Sequence, residues 1–204
     1  MEKIAPGRYT EVNGETSMAA EPIRKLFTTA EYHTMAESGI LSEDDRVELI
    51  EGEIWQMSPI KERHFAGVTR LDYLFKGSLG AGAATVATQN PVHFDERSEP
   101  QPDVLVLRFR KDFYAERLPI PSDVFLLAEI SDTTADYDRR VKMVLYSRYD
   151  IPEAWLVDLP RSVVEVYRDP SPQGYREMLT FRRGDRISPL AFPDLKLEVD
   201  AILG

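Results

Sequence analysis

The chain of 204 residues contains no cysteine. Disulfides, thiolate metal ligands and cysteine nucleophiles are thereby excluded, and the composition suits a reducing cytoplasm. It also lacks any run of about 18 apolar residues, so no segment is expected to span a membrane. Between Met1 and Lys25 there is no apolar core of the kind a secretory signal needs. That stretch is rich in Glu, Pro, Gly and Ala and is expected to be a loosely ordered tail. Positive charge is in short supply: 25 Lys and Arg face 35 Asp and Glu, a net charge of −10. Nucleic-acid binders usually carry a basic footprint, so weak non-specific affinity for DNA is expected unless a local patch or a bound cation offsets the acidic whole. Internal repeats and low-complexity segments are absent too.

The chain does contain enough apolar residues, 43%, for a sizeable core. Thr28 and Glu31 have capping-box spacing at the start of a first helix, and Gly39 supplies its stop. Val47–Ile50 and Ile54–Met57 flank Glu51-Gly52 and read as a β-hairpin. Ser58-Pro59 is expected to open a second helix with Phe65, Val68, Leu71, Leu74 and Phe75 on one face. Strands are expected at Thr85–Thr88, Val92–Phe94, Asp103–Leu107, Val124–Ile130, Ala154–Val157, Val163–Tyr167 and Tyr175–Phe181. A helix from about Asp136 to Tyr149 would turn Val141, Val144 and Leu145 inward. The fold class implied is α/β: a mixed sheet of about seven or eight strands flanked by helices, in one domain over residues 26–204.

Two carboxylates stand out. Asp103 follows Gln101-Pro102 at the start of an apolar strand, where a cleft can form. Glu129 lies near the end of Phe125–Ser131, and burying a carboxylate there is costly unless it is paired or metal-bound. If the two strands are neighbours, both groups meet at one sheet end. Two hard oxygen ligands with open positions suit Mg²⁺ or Mn²⁺, which could activate water beside a scissile phosphate. Lys142, four residues after Asp138, borders the inward helix face and could add positive charge there.

Several stretches taken together resemble one family. They are Glu48–Ile54, Met57-Ser58-Pro59 with His64, Gln101–Val104, Glu129-Ile130-Ser131, Asp138–Lys142, Tyr146, and Ile151–Asp158, the last being the most specific. In order and spacing, residues 47–203 resemble the Uma-two family of restriction endonucleases, carried as a domain of unknown function and placed in the PD-(D/E)xK nuclease superfamily. The resemblance implies a restriction-endonuclease-like fold and a Mg²⁺ site made by Asp103, Glu129 and the carbonyl of Ile130. It further implies DNA as substrate and a homodimer. The superfamily lysine usually stands two residues after the glutamate. That position is Ser131 here, and the resemblance implies that Lys142 substitutes. Glu48 matches the upstream acidic residue that completes such sites, with Glu53 as its rival.

Plainer roles are open for each residue. Asp103 could cap a turn, Glu129 could pair with Arg139 or Arg140, and Lys142 could be a solvated lysine beside Asp138. His64 reads as a structural hydrogen-bonder, and Trp55 and Trp155 as core. Asp158 is expected to stabilise the turn at Pro160. Arg108, Arg110 and Lys111, and the pair Arg182 and Arg183, are the candidates for phosphate contact. A nuclease-fold module that binds nucleic acid or a protein without cutting is the alternative function. An RNA-directed nuclease is a third.

Overall fold

The computed structural model describes residues 23–42 and 44–204; most of the tail expected over residues 1–25 lies outside these. Thr28 caps helix α1, Thr29–Glu37, through the reciprocal bonds of a capping box with Glu31. Strands β1, Val47–Ile50, and β2, Glu53–Gln56, form an antiparallel ribbon. Its turn places Glu51 and Gly52 at φ 49° and 83°. That conformation favours glycine, and a Cβ on Gly52 would also come within 2.7 Å of Leu26 Cβ.

Helix α2, Glu62–Ser78, begins later than Ser58-Pro59 suggested and runs through Gly77. Val68, Leu71 and Phe75 are buried, but Phe65 is 64% exposed and does not belong to the inward face. Strands β3, Ala84–Thr88, β4, Val104–Arg108, and β5, Val124–Ser131, follow. Val92–Phe94 is not a strand: its amides bond to the carbonyls of Pro100, Pro119 and Ser98, outside any ladder.

The helical stretch after β5 is broken. It consists of α3, Ala135–Tyr137, a π-helical turn, Asp138–Lys142, and α4, Met143–Arg148. The Met143 amide bonds to the Asp138 carbonyl across the wide turn. The extra residue rotates the inward face, so Lys142, Met143, Leu145 and Tyr146 are buried while Val141 and Val144 are only half-buried. Such turns often occur at functional sites.

Strands β6, Glu153–Asp158, β7, Val163–Arg168, and β8, Glu177–Arg182, complete a six-stranded sheet in the order β3-β4-β5-β6-β7-β8. Short strands β9, Arg186–Ile187, and β10, Leu197–Glu198, pair separately before α5, Val199–Leu203. The main sheet is thus smaller than the seven or eight strands expected, because the hairpin and the C-terminal ribbon stand apart from it. Only β5 and β6 are parallel, joined by the broken helix.

Strand alternation divides the core in two. Val104, Val106, Leu126, Ala128, Ile130 and Trp155 pack with α2 and α5 on one face. Leu105, Leu107, Leu127 and Leu156 pack with Ile50, Met143, Leu145 and Tyr146 on the other. Glu129 has the parity of Leu127 and therefore faces the hairpin and α4. Helix α2 closes tightly on β5 at Gly67, where a Cβ would lie 2.8 Å from Ile130 Cγ2. Among the described residues no helix is long and apolar enough to cross a membrane.

Candidate active site

Strands β4 and β5 are neighbours, with Val104 opposite Ala128. Asp103 therefore stands beside the next turn of β5. Its Oδ2 accepts from the Ile130 amide at 2.9 Å and faces His64 Nε2 at 3.0 Å. A carboxylate only accepts, so the His64 proton belongs on Nε2. Among the described residues Asp103 Oδ1 meets only the Gln89 side-chain amide, at a long 3.4 Å. In a strand the amide and carbonyl of one residue point to the same edge, so the Ile130 carbonyl is directed towards the Asp103 side.

Glu129 is buried within the same cleft. Its Oε1 accepts from Lys142 Nζ at 3.2 Å and from the Tyr146 hydroxyl. Both bonds use one oxygen and leave Oε2 to the cleft that Glu129 lines. Lys142 and Tyr146 are one α-helical repeat apart, so the same stripe delivers both. The ammonium also lies 3.1 Å from Glu48 Oε1. Glu48 reaches the site because it shares the inward face of β1 with Ile50, and its Oε2 accepts from the Gln101 amide at 3.2 Å.

Asp138 is the fourth buried carboxylate, held by Thr134 Oγ1 at 2.9 Å. Four carboxylates, Glu48, Asp103, Glu129 and Asp138, thus surround one ammonium. Burial, reinforced by Asp103, Asp138 and Glu48, pushes the Glu129 carboxyl well above the usual range even though Lys142 opposes it. Burial also disfavours the Lys142 ammonium, but Glu129, Glu48 and Asp138 outweigh that and raise it well above an ordinary lysine. The cluster is short of positive charge.

The four residues singled out in the sequence, Asp103, Glu129, Lys142 and Glu48, are therefore brought together. Glu53 is not part of the group and instead pairs with Arg24. Lys142 bonds to Glu48 and Glu129 rather than standing solvated beside Asp138. Glu129 pairs with neither Arg139 nor Arg140. Ser131, at the superfamily's usual lysine position, is fully buried and bonded to Thr134, 3.2 Å away. Arg108 lies at the far end of β4 from Asp103, about 15 Å away at strand spacing, and Arg110 is paired with Asp112; that basic cluster is remote from the cleft. Arg46 and Lys61 line it instead. Trp155 is fully buried as expected, but Trp55 is 38% exposed and lines the cleft rather than the core. Asp158 Oδ1 does accept from the Arg161 amide after Pro160, at 3.0 Å.

The hydrogen-bonding role read for His64 is to Asp103. The part played by Asp138 and Tyr146 was not read from the sequence. Their spacing from Lys142, four residues on either side, was the available signal.

A second ionic group holds the π turn in place. Arg139 bonds to Asp158 and, at 2.8 Å, to Glu165; Arg161 also reaches Glu165, at 2.9 Å. Burial works against the charged Glu165, but Arg139 and Tyr167 outweigh it and lower its pKa. Arg139→Met leaves the buried carboxylates of Asp158 and Glu165 with only the half-exposed Arg161 for a cation and should lower stability by about 1–3 kcal/mol, read from the urea midpoint at neutral pH. Because the Glu165 pKa is depressed in the folded protein, the contribution is present above the ordinary carboxylate range and is lost as pH falls through it. The variant and the parent should converge in acid; an unchanged neutral midpoint would contradict this role.

The donor set suits a hard divalent cation. Asp103 Oδ1, Glu129 Oε2 and the Ile130 carbonyl are oxygen donors, and the excess of carboxylates favours a cation electrostatically. Among the described residues no group of three or more histidine, aspartate or glutamate side chains is arranged to hold a metal ion. A divalent ion at this position would therefore need the main-chain carbonyl as a third ligand.

Comparison with known proteins gives two findings. The family model for Uma2, "Putative restriction endonuclease", matches residues 29–200. Among solved structures, the chain is similar to a "putative nuclease belonging to DUF820" from Anabaena variabilis ATCC 29413, with 18% identity and a TM-score of 0.69, covering 87% of this chain and 97% of that one. That likeness shows the fold. No curated protein matches.

Proposed function

The chain belongs to the Uma2 family of putative restriction endonucleases, and from that premise we propose that it is a metal-dependent endonuclease cutting DNA phosphodiester bonds. One observation carries the reading: the Lys142 ammonium sits 3.1 and 3.2 Å from Glu48 and Glu129, beside Asp103 on the adjoining strand. Asp103, Glu129 and the Ile130 carbonyl would hold Mg²⁺ or Mn²⁺. When bound, the ion supplies charge neutralisation and activation of water.

The chain's own residues do the rest. His64 and the Ile130 amide fix Asp103 Oδ2 and leave Oδ1 for the ligand role. Tyr146 and Lys142 fix Glu129 in the same way. Lys142 keeps a positive charge where the phosphate develops negative charge. In the reaction a water would give up a proton to solvent as its oxygen bonds to phosphorus, the bond to the leaving sugar oxygen would break, and that oxygen would take up a proton from solvent. Arg46 and Lys61 on the cleft wall can contact neighbouring phosphates. A homodimer would supply two such sites for two strands.

The test is cleavage of supercoiled plasmid and of matched RNA with Mg²⁺, with Mn²⁺ and with chelator. Metal-dependent nicking of DNA, abolished by chelator, is expected. The second reading, a nuclease-fold binding module, is favoured by the net charge of −10 and by the sealed Ser131. It forbids metal-dependent turnover, so DNA bound but never cut would select it. Cleavage confined to RNA would replace DNA as the substrate.

A further inference from the structure

Trp55 is the cross-strand partner of Glu48 in the hairpin. Residues directly opposite each other in an antiparallel pair share one face, so the indole stands beside the buried site on the same side of the ribbon. An exposed tryptophan at the mouth of a cleft is an uncommon use of apolar surface. A second ring accompanies it. Tyr137 ends α3, directly before the turn that carries Asp138 and Lys142. Its ring centroid lies 5.1 Å from that of Trp55, with the planes inclined at 45°. The Tyr137 hydroxyl is buried and has no hydrogen-bond partner among the described residues. Burial and the nearby Glu48 hold it protonated, so it remains a donor without an acceptor.

Both rings line the cleft that holds Asp103, Glu129 and Lys142. Neither is needed to position those groups. With a net charge of −10, the chain gains little from phosphate contact at large, and affinity for a polyanion has to come from another source. Aromatic faces supply it, because every base has a π-face and stacking does not depend on sequence. In an intact duplex the base faces are covered by their neighbours and cannot reach a side chain.

We propose that Trp55 and Tyr137 form a base-stacking subsite that takes an unpaired nucleotide next to the scissile phosphate, so that the preferred substrate is single-stranded or locally unpaired nucleic acid. The proposal rests on the nuclease reading for the position of the phosphate, but stacking can be measured without cleavage. The base lies against the indole, whose far side is backed by the Tyr137 ring. Arg46, which donates to the Ser58 carbonyl at 2.8 Å, lies on the same cleft wall for the adjoining phosphate.

The sequence contains two tryptophans, and Trp155 is fully buried. Quenching of tryptophan emission by a ligand therefore reports on Trp55. The experiment titrates a 12-nucleotide single-stranded DNA, its blunt duplex, and the same strand with abasic central positions into full-length Glu129→Gln protein with Mg²⁺, so that the probe is not consumed. Wild type is assayed for cleavage alongside. Quenching by the single strand is expected, with affinity at least about tenfold above the duplex, which corresponds to stacking of one base. Because the Trp55 variants lack the reporting indole, their affinity is read from the anisotropy of the same strands carrying a 5′ fluorophore: Trp55→Ala and the abasic strand should each lose that margin, and Trp55→Leu should lose it with the thermal midpoint retained. Equal affinity for strand and duplex overturns the proposal. So does full affinity in Trp55→Leu, or no binding of either probe. Quenching without cleavage by wild type would leave the subsite standing and remove the nuclease reading.

Discussion

Lys142→Met is expected to lower stability at neutral pH by about 3–5 kcal/mol, a fall in thermal midpoint on the order of 10 °C for a chain of this size. Glu48 is 2% exposed and Glu129 3%, and Lys142 is the one ammonium that touches both. Without it, two carboxylates stay buried with no cation. The folded-state pKa of Glu129, already raised by burial, then rises further above its unfolded value. A carboxyl raised in this way contributes stability that is lost as pH rises, so the defect should shrink in acid, where the groups bind protons, and grow towards alkaline pH. Lys142→Arg keeps the charge but replaces a point donor by a planar fork, and should recover only part of the loss. An unchanged midpoint, or a defect independent of pH, would contradict the ionic account of this residue. Unfolding by urea and by heat across a pH series decides it.

Glu129→Gln should behave in the opposite way: stability kept or raised, activity lost. The Glu129 carboxyl is held above its ordinary range by burial and by three other carboxylates, so ionising it in the folded protein is unfavourable. The amide removes that cost, and its oxygen can still accept from Tyr146 and Lys142. Cleavage, by contrast, loses one of the proposed ligand oxygens. A bound ion supplies several kcal/mol of transition-state stabilisation, so a loss on the order of 10³-fold in rate is expected. Asp103→Asn should likewise lose cleavage, because it removes the other proposed ligand carboxylate. A midpoint several degrees lower with cleavage retained would reverse both halves of the argument.

The two carboxylates were legible because each breaks a local rule. Asp103 and Glu129 interrupt apolar strands, and a buried charge without a partner is too costly to be incidental. That their strands adjoin was a condition the sequence could only pose. The helix period placed Lys142 only at the border of the inward face, with Val141 and Val144 inward, and the resemblance alone favoured a site role over a solvated lysine. The π turn at Asp138–Lys142 shifts the phase by a residue, and no hydrophobic period of 3.6 encodes such a turn. Trp55 was read as core because aromatic residues in strands usually are. The structure leaves the hairpin outside the six-stranded sheet, and only that tertiary placement turns the indole to the cleft. Phe65 misled for a similar reason: the helix period fits it, but no layer covers that end of α2. The two-residue strand Arg186–Ile187 is too short to leave any periodic signal.

The proposed activity stands on metal binding by the carboxylate cluster, which is measured by calorimetric titration of Mg²⁺ and of Mn²⁺ at low salt into wild type and into the Asp103→Ala/Glu129→Ala double variant. Saturable binding is expected in the wild type and none in a double variant that still unfolds cooperatively. No binding in the wild type, or the same binding in both proteins, would contradict it.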